Sequence, residues 1–220
     1  MKNIFKGLLL AVALFSSAAA VAEASLGKDY NLLNPAQPTS TKKIEVLEFF
    51  FYECSHCFHL HPLLAAWEKN LPKDVAITYV PTIFRDSTVP LALTYYTLES
   101  MGQIKQLDDA IYQAIHVNNA GLYDLDSIAD FVAKRGVDRA KFAAAYNSFS
   151  MQSKVIRAKQ MIRSYGINGT PTLVVDGKYV ITGLQPEDMI RVLNDVVAKA
   201  RKEHPAAAAE SKPGKAKAKN

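Results

Sequence analysis

The chain has 220 residues, nearly half of them hydrophobic, and a formal net charge of +5 at pH 7. The excess positive charge lies at the two ends, because residues 25–200 contain 18 basic and 18 acidic side chains. A neutral central part excludes the broad basic surface of a nucleic-acid-binding protein, so we expect no nucleic-acid partner.

Residues 1–24 have the pattern of a cleaved export signal. Lys2 and Lys6 precede an apolar core at 8–15, and small residues suited to cleavage follow. The apolar run is shorter than the roughly 20 residues that span a bilayer, which disfavours a membrane anchor. We therefore expect a soluble protein in the periplasm, an oxidising compartment where disulfides persist.

Up to residue 86 the pattern predicts alternating strands and helices. Residues 44–52 are apolar almost throughout and rich in aromatic and β-branched side chains, as in a strand buried on both faces. A helix is predicted to begin within residues 54–57, and a second strand follows at 75–80.

From residue 87 the apolar residues recur at helical spacing, and no strand pattern appears for about 75 residues. Asp126 and Asp138 are predicted to cap two of these helices. The last helix of the block, from about 150 to 165, is predicted to end before Gly166.

Strand character returns near the end of the chain. Residues 173–175 and 179–181 flank Asp176-Gly177, a dipeptide typical of type I′ hairpin turns. Pro186 is predicted to open a final helix. Residues 204–220 have little apolar surface to bury, and we expect a disordered basic tail there.

The two cysteines of the chain both lie in the segment Cys54-Ser55-His56-Cys57. A disulfide here closes a very short loop and restrains little unfolded-chain entropy, which disfavours a purely structural bond. Haem attachment requires a histidine directly after the second cysteine, where this chain has a phenylalanine. The segment therefore indicates a redox couple.

Zinc binding is a weaker interpretation of the same segment. Structural zinc usually takes four ligands from two separated pairs, and the chain has no second cysteine pair. His59 and His61 cannot share the face of Cys57 on one helix, and we expect them to be surface or rim residues. We expect neither a metal nor a cofactor.

Position along the helix predicts different roles for the two sulfurs. Unpaired N–H groups and the helix dipole favour a thiolate at Cys54, whereas Cys57 lies one turn further in and should be buried. We expect Cys54 to exchange with the substrate and Cys57 to be its internal partner. His56 is expected to stabilise the thiolate, which makes the disulfide a stronger oxidant.

Two acidic residues near the cysteines have open roles. Glu48 interrupts the apolar strand, and it is either a buried carboxylate that relays the proton of Cys57 or a paired structural charge. Glu53 directly precedes Cys54, and we expect its side chain to point into solvent.

Thr170-Pro171 stands directly before the predicted hairpin. Proline is tolerated at the first residue of a strand for ordinary reasons. The neighbouring glycines favour a second interpretation, in which a cis bond turns the chain and leaves the Thr170 backbone free to pair with an extended peptide.

This order of elements resembles the thioredoxin superfamily, and within it the DsbA family. The matching stretches are Val46 to Phe50, Cys54 to Cys57, Gly169 to Pro171 and Val175 to Tyr179. The resemblance implies an α/β thioredoxin fold interrupted by an all-helical domain. We expect the thioredoxin parts at 25–86 and 150–203, and the insertion at 87–149.

The resemblance also implies an activity. The enzyme would donate its disulfide to reduced exported polypeptides through a mixed disulfide at Cys54, with Pro171 facing the site. A DsbB-type membrane protein would re-oxidise it, and we expect a monomer. Ser55 stands where the family commonly has proline, so it should tune the redox potential. Tyr79 falls near the place of a lysine that often pairs with the buried glutamate.

Two alternative functions remain from the sequence. One is a disulfide isomerase or reductase, and the other is a non-catalytic periplasmic chaperone or metal-binding module. Isomerases of this superfamily have a separate N-terminal dimerisation domain. Only about 20 residues lie between the signal and the first strand here, which is too few for such a domain and disfavours an isomerase.

Overall fold

The computed structural model describes residues 23–203. The predicted tail, and all but the last two residues of the predicted export signal, lie outside the described residues. No helix within the described range is long and apolar enough to cross a membrane.

A five-stranded mixed sheet forms the centre of the fold. Its strands are β1 (Asn31–Leu32), β2 (Ile44–Phe50), β3 (Val75–Pro81), β4 (Thr172–Val175) and β5 (Tyr179–Thr182). They lie in the order β1-β5-β4-β2-β3, and only the β2–β3 pair is parallel. Every residue of β2 is buried, which explains its apolar sequence.

Seven α-helices accompany the sheet within the described residues. They are α1 (Ser55–Glu68), α2 (Val89–Ser100), α3 (Ile104–His116), α4 (Leu125–Ala133), α5 (Arg139–Tyr146), α6 (Phe149–Ser164) and α7 (Pro186–Glu203). A 3₁₀ turn, Asp86–Thr88, leads into α2. Helices α2 to α6 are consecutive between β3 and β4, which confirms the predicted helical block.

The sheet buries both of its faces, as the apolar run of β2 requires. Ile44 and Val46 belong to a core cluster with residues of α1 and α7. Leu47 and Phe49 belong to a second cluster with residues of the helical block. Alternate residues of β2 therefore pack against α1 and α7 on one face of the sheet and against the helical block on the other. The predicted α/β fold with inserted helices is confirmed.

The start of α4 differs from the prediction. Asp124, and not Asp126, is the N-cap: its side chain accepts a hydrogen bond from the Ser127 backbone N–H at 2.8 Å. Ser127 completes a capping box with the Asp124 backbone. Asp138 caps α5, as predicted.

The β4–β5 hairpin turns at Asp176 and Gly177, which both have positive φ values, 52° and 64°, as a type I′ turn requires. The Gln37 backbone also packs here, since its N–H donates to the Gly177 carbonyl at 2.8 Å. A Cβ at Gly177 would lie 2.0 Å from the Gln37 carbonyl oxygen. Glycine is needed for both the turn and this contact.

Candidate active site

Cys54 is the N-cap of α1. Its backbone is extended, with φ −82° and ψ 116°, and its Sγ accepts a hydrogen bond from the Cys57 backbone N–H at 3.4 Å. The helix thus begins inside the Cys-x-x-Cys segment, as predicted. Both cysteines are free thiols in the structure, so this geometry is that of the reduced protein.

Hydrogen bonds make the Cys54 thiol acidic. Together they lower the pKa of Cys54 to about 5, although burial opposes them. The Cys57 side chain has the largest effect, and the Thr170 side chain and the backbone N–H groups of Cys57 and His56 act in the same direction. At neutral pH the reduced form therefore carries a thiolate at Cys54.

Cys57 has the opposite environment. It is fully buried, whereas Cys54 retains 9% of its surface. Burial has the largest effect on Cys57 and, with the charges of Glu48 and Cys54, raises the pKa of its thiol above the ordinary range. The protein thus places one acidic, partly accessible sulfur beside one protonated, inaccessible sulfur.

Ser55 and His56 occupy the first turn of α1, and both are exposed. The contribution of His56 to the lowered pKa of Cys54 is made through its backbone N–H. The effect of the His56 imidazole on the thiolate, and of the Ser55 hydroxyl on the redox potential, stay predictions.

The Thr170–Pro171 segment lies against Cys54, although the two are 116 positions apart in sequence. Its peptide bond is cis, as predicted. Cys54 Sγ lies 3.5 Å from the Thr170 carbonyl oxygen. The Thr172 hydroxyl donates to the Gly169 carbonyl at 2.8 Å, which closes the turn before β4. The antiparallel pairing of β4 with β2 brings this turn to the end of β2, where the cysteines follow.

Glu48 is a buried carboxyl in the middle of the sheet, with 3% of its surface exposed. It lies directly opposite Tyr79 in the β2–β3 register. Burial raises the pKa of Glu48 to about 8, and the charges of Asp108 and Cys54 act in the same direction. Glu48 is therefore largely protonated at neutral pH.

The sequence did not indicate a second polar cluster next to Glu48. The Tyr52 hydroxyl donates to Asp108 Oδ1 at 2.5 Å, and His61 Nδ1 lies 3.8 Å from Asp108 Oδ2. The sequence feature that could have indicated this cluster is the position of Asp108, an acidic residue on the apolar face of α3 beside Ile111.

His61 lies at the rim of the contact between α1 and α3, within the expectation of a surface or rim position. Its side chain is only 16% exposed, because α1 packs against α3 and the His61 ring lies 4.7 Å from that of Tyr112. His59 is exposed, as predicted. Within residues 23–203, no group of three or more histidine, cysteine or acidic residues is placed to hold a metal ion.

The expectation that Glu53 points into solvent is wrong. Its side chain is 30% exposed, and Arg85 Nη2 lies 3.5 Å from its Oε2. The Cys54 backbone N–H donates to the Phe51 carbonyl at 3.0 Å, and this turn places Glu53 beside Leu91 of α2. The inserted helices, which cover this turn, are the physical reason.

Comparison with known proteins shows the family of the chain. The family described as DSBA-like thioredoxin domain matches residues 73–193. The thiol:disulfide interchange protein DsbA of Burkholderia cepacia is 38% identical over 183 residues, which cover 81% of this chain and 86% of that protein. The protein of the same name from Pseudomonas aeruginosa is 34% identical and covers 91% of this chain and 98% of its own.

Solved structures of DsbA proteins are also similar to this chain. The crystal structure of Pseudomonas aeruginosa DsbA superposes with a TM-score of 0.79 at 34% identity, over 83% of this chain and 97% of that one. The oxidoreductase DsbA from Xylella fastidiosa has a TM-score of 0.78 at 32% identity, over 82% and 100%. The chain belongs to the DsbA family.

Proposed function

We propose that this protein is a periplasmic thiol:disulfide oxidoreductase that gives the Cys54–Cys57 disulfide to reduced exported polypeptides. The asymmetry of the two sulfurs carries this conclusion, because Cys54 has a pKa of about 5 and Cys57 is buried with a raised pKa. Stabilising the Cys54 thiolate stabilises the reduced protein, which makes the disulfide oxidising. Relatives named thiol:disulfide interchange protein support the same activity.

The reaction takes two exchange steps. A substrate thiolate attacks Cys54 Sγ, the Cys54–Cys57 bond breaks, and Cys57 leaves as a thiolate that takes up a proton. A second substrate thiolate then attacks the substrate sulfur of the mixed disulfide, and Cys54 leaves as a thiolate. The substrate loses two electrons and gains a disulfide, while the protein gains two electrons as its dithiol.

Three residues are proposed to assist this exchange from beside the sulfurs. Glu48 is largely protonated at neutral pH and lies close enough to Cys57 to raise its pKa, so it is suited to supply the proton of Cys57. His56 stabilises the Cys54 thiolate, and Ser55 tunes the potential.

Thr170 and Pro171 are proposed to hold the substrate. The cis bond and the 3.5 Å contact between Cys54 Sγ and the Thr170 carbonyl place a backbone turn beside the reacting sulfur. An extended peptide that pairs with the Thr170 backbone brings its own cysteine to Cys54.

The cellular setting is part of the same proposal. The pattern of residues 1–24 supports export to the periplasm. We infer re-oxidation by a DsbB-type membrane protein and a monomeric enzyme. We also propose the bounds 25–86 and 150–203 for the thioredoxin parts and 87–149 for the helical insertion.

A redox equilibrium against glutathione tests the direction of the exchange. We expect the protein to stay reduced in mixtures of reduced and oxidised glutathione that oxidise an ordinary dithiol. A reductase would instead hold its disulfide in those mixtures, and an isomerase would rearrange scrambled disulfides at least as fast as it forms new ones.

Substitution of the cysteines separates an enzyme from a binding module. Cys54→Ala should abolish oxidation of a dithiol peptide. In Cys57→Ala the Cys54 thiolate should attack the disulfide of an oxidised peptide, one peptide sulfur leaves as a thiolate, and the mixed disulfide at Cys54 is trapped because no Cys57 thiol remains to resolve it. A chaperone or metal-binding module would keep its activity in Cys54→Ala.

A further inference from the structure

A cavity of about 180 Å³ lies beside Glu53, the residue directly before Cys54. Its wall includes Leu91 of α2, Ile115 of α3 and Tyr123 of the α3–α4 loop. The volume exceeds the roughly 30 Å³ share of one water molecule and is below the approximately 300 Å³ at which small-molecule sites begin. It suits a single amino-acid side chain.

Glu53 is the only acidic or basic residue in the wall of this cavity. Its Oε2 atom is buried and has no hydrogen-bond partner among residues 23–203. The 3.5 Å contact with Arg85 is electrostatic only, and the Arg85 Nε–H instead donates to Ser87 Oγ at 2.8 Å. Because Oε2 itself is shielded from solvent, a cation in the cavity is attracted by the charge of the carboxylate and meets the part of the Glu53 side chain that stays exposed, 30% of its surface.

We propose that this cavity receives a lysine or arginine side chain of the substrate polypeptide, near the cysteine that reacts with Cys54. The wall combines apolar side chains with the amide of Asn119 and one carboxylate, which matches the methylene stem and the charged, hydrogen-bonding head of a basic residue. Tyr123, 75% exposed, offers further apolar surface on the solvent side. The inference rests on the proposed function and adds a substrate preference to it.

The position of Glu53 ties the occupant to the reacting segment. Glu53 and Cys54 are consecutive residues, so the proposed occupant would come from the stretch of substrate near the cysteine that reacts with Cys54. A substrate with an acidic residue at the same place would bring two carboxylates together and bind less well.

The test compares the oxidation rates of dithiol peptides that differ at one position. Lysine is placed in turn at each of several positions on either side of the reacting cysteine, with norleucine at the same position as the uncharged match. We expect kcat/KM to be about five- to tenfold higher with lysine at one or two positions. Glu53→Gln should return this ratio to about one.

The ratio is the informative quantity, because Glu53→Gln also removes a charge beside Cys54 and alters its reactivity with every peptide. Glu187→Gln is the matched control, since it removes the same charge from an exposed position at the start of α7 and should leave the ratio unchanged. Glu53→Lys should reverse the preference in favour of a peptide that carries glutamate.

Equal rates for the lysine and norleucine peptides at every position would overturn the inference, and so would a ratio that Glu53→Gln leaves unchanged. Binding of thiol-free peptides, with serine in place of cysteine, separates this result from the proposed function. If no peptide is oxidised but the lysine peptide still binds more tightly through Glu53, the oxidase function fails and the basic-residue site stands.

Discussion

The chemistry of single residues here depends on where α1 begins. Cys54 is the N-cap of α1 and accepts hydrogen bonds from the first turn of the helix. Cys57 lies within the helix and is buried in the same core cluster as Phe49. Two identical thiols thus obtain pKa values on opposite sides of the ordinary one. Hydrogen bonds at Cys54 and burial at Cys57 have the largest effects, and the charge of Glu48 adds to the raised pKa of Cys57.

The ultraviolet absorbance of the thiolate measures this asymmetry. In the reduced protein we expect one thiolate to form with a midpoint near pH 5. Cys57→Ala removes the strongest hydrogen bond to Cys54 and should move the midpoint several pH units towards the ordinary value. His56→Ala should raise it by a smaller amount. A wild-type midpoint near 8.5 that His56→Ala does not change would contradict the electrostatic argument.

Glu48 makes a second prediction at this scale. Its folded pKa of about 8 lies above its ordinary value of 4.5, so the folded state binds its proton more tightly than the unfolded state does. Its contribution to stability therefore falls as the pH rises from about 4.5 to about 8, by up to about 1.4 kcal/mol per pH unit. Glu48→Gln cannot ionise and should stabilise the protein at pH 8 while changing little at pH 4.

Chemical denaturation of the oxidised protein at several pH values checks this expectation, because Cys54 does not titrate in the disulfide form. Glu45→Gln is the comparison variant, since Glu45 is also buried in β2 but accepts hydrogen bonds from Ser40. The prediction fails if Glu48→Gln keeps the pH dependence of the wild-type protein.

At the scale of elements, features set by local sequence were predictable. The strands β2 and β3, the start of α1 and the hairpin turn follow from apolar runs and from Asp176-Gly177, which act over a few residues. The cap of α4 was misplaced by two positions because Asp124 and Asp126 are equally good caps by residue type. The choice between them follows from the capping box that Ser127 forms with Asp124.

Gly177 gives the prediction that belongs to the hairpin. In Gly177→Ala the Cβ meets the Gln37 carbonyl oxygen at 2.0 Å and the residue keeps a positive φ, so we expect a loss of about 2–4 kcal/mol in the free energy of unfolding. Gly183→Ala is the matched control. Gly183 also has a positive φ, 72°, but a Cβ there meets nothing within 4 Å, so only about 1–2 kcal/mol should be lost.

Urea denaturation of the three proteins measures both effects. Equal losses for the two variants would mean that the chain segment around Gln37 moves away at little cost, and that backbone conformation alone accounts for Gly177.

At the scale of the whole molecule, the inserted helices account for what the sequence did not reveal. The surroundings of Glu53 and His61 depend on α2 and α3, which are distant in sequence and cover the β2–α1 turn and one side of α1. No spacing along the chain encodes such a contact. Thr170 was identified because an expected fold, and not a local pattern, brings it to Cys54.

The fold and the redox couple are linked through one thermodynamic cycle. If folding stabilises the Cys54 thiolate, reduction stabilises the fold by the same free energy, and the disulfide becomes more oxidising to that extent. The folded pKa of Cys54, about 5, lies below its ordinary value of 9.0. The stabilisation is therefore complete above about pH 9 and is lost as the pH falls through about 5.

The unfolding free energy of the reduced protein minus that of the oxidised protein should accordingly increase as the pH rises from about 5 to about 9. The slope can reach about 1.4 kcal/mol per pH unit, since one proton is involved. Glu48 titrates in both forms and largely cancels in this difference. Parallel denaturation curves with and without a reductant, at pH 5 to 8, give the slope, and the Cys54→Ser Cys57→Ser variant should show no effect of the reductant. A difference that does not change with pH would mean that folding does not stabilise the Cys54 thiolate, and the oxidising character would then need another source.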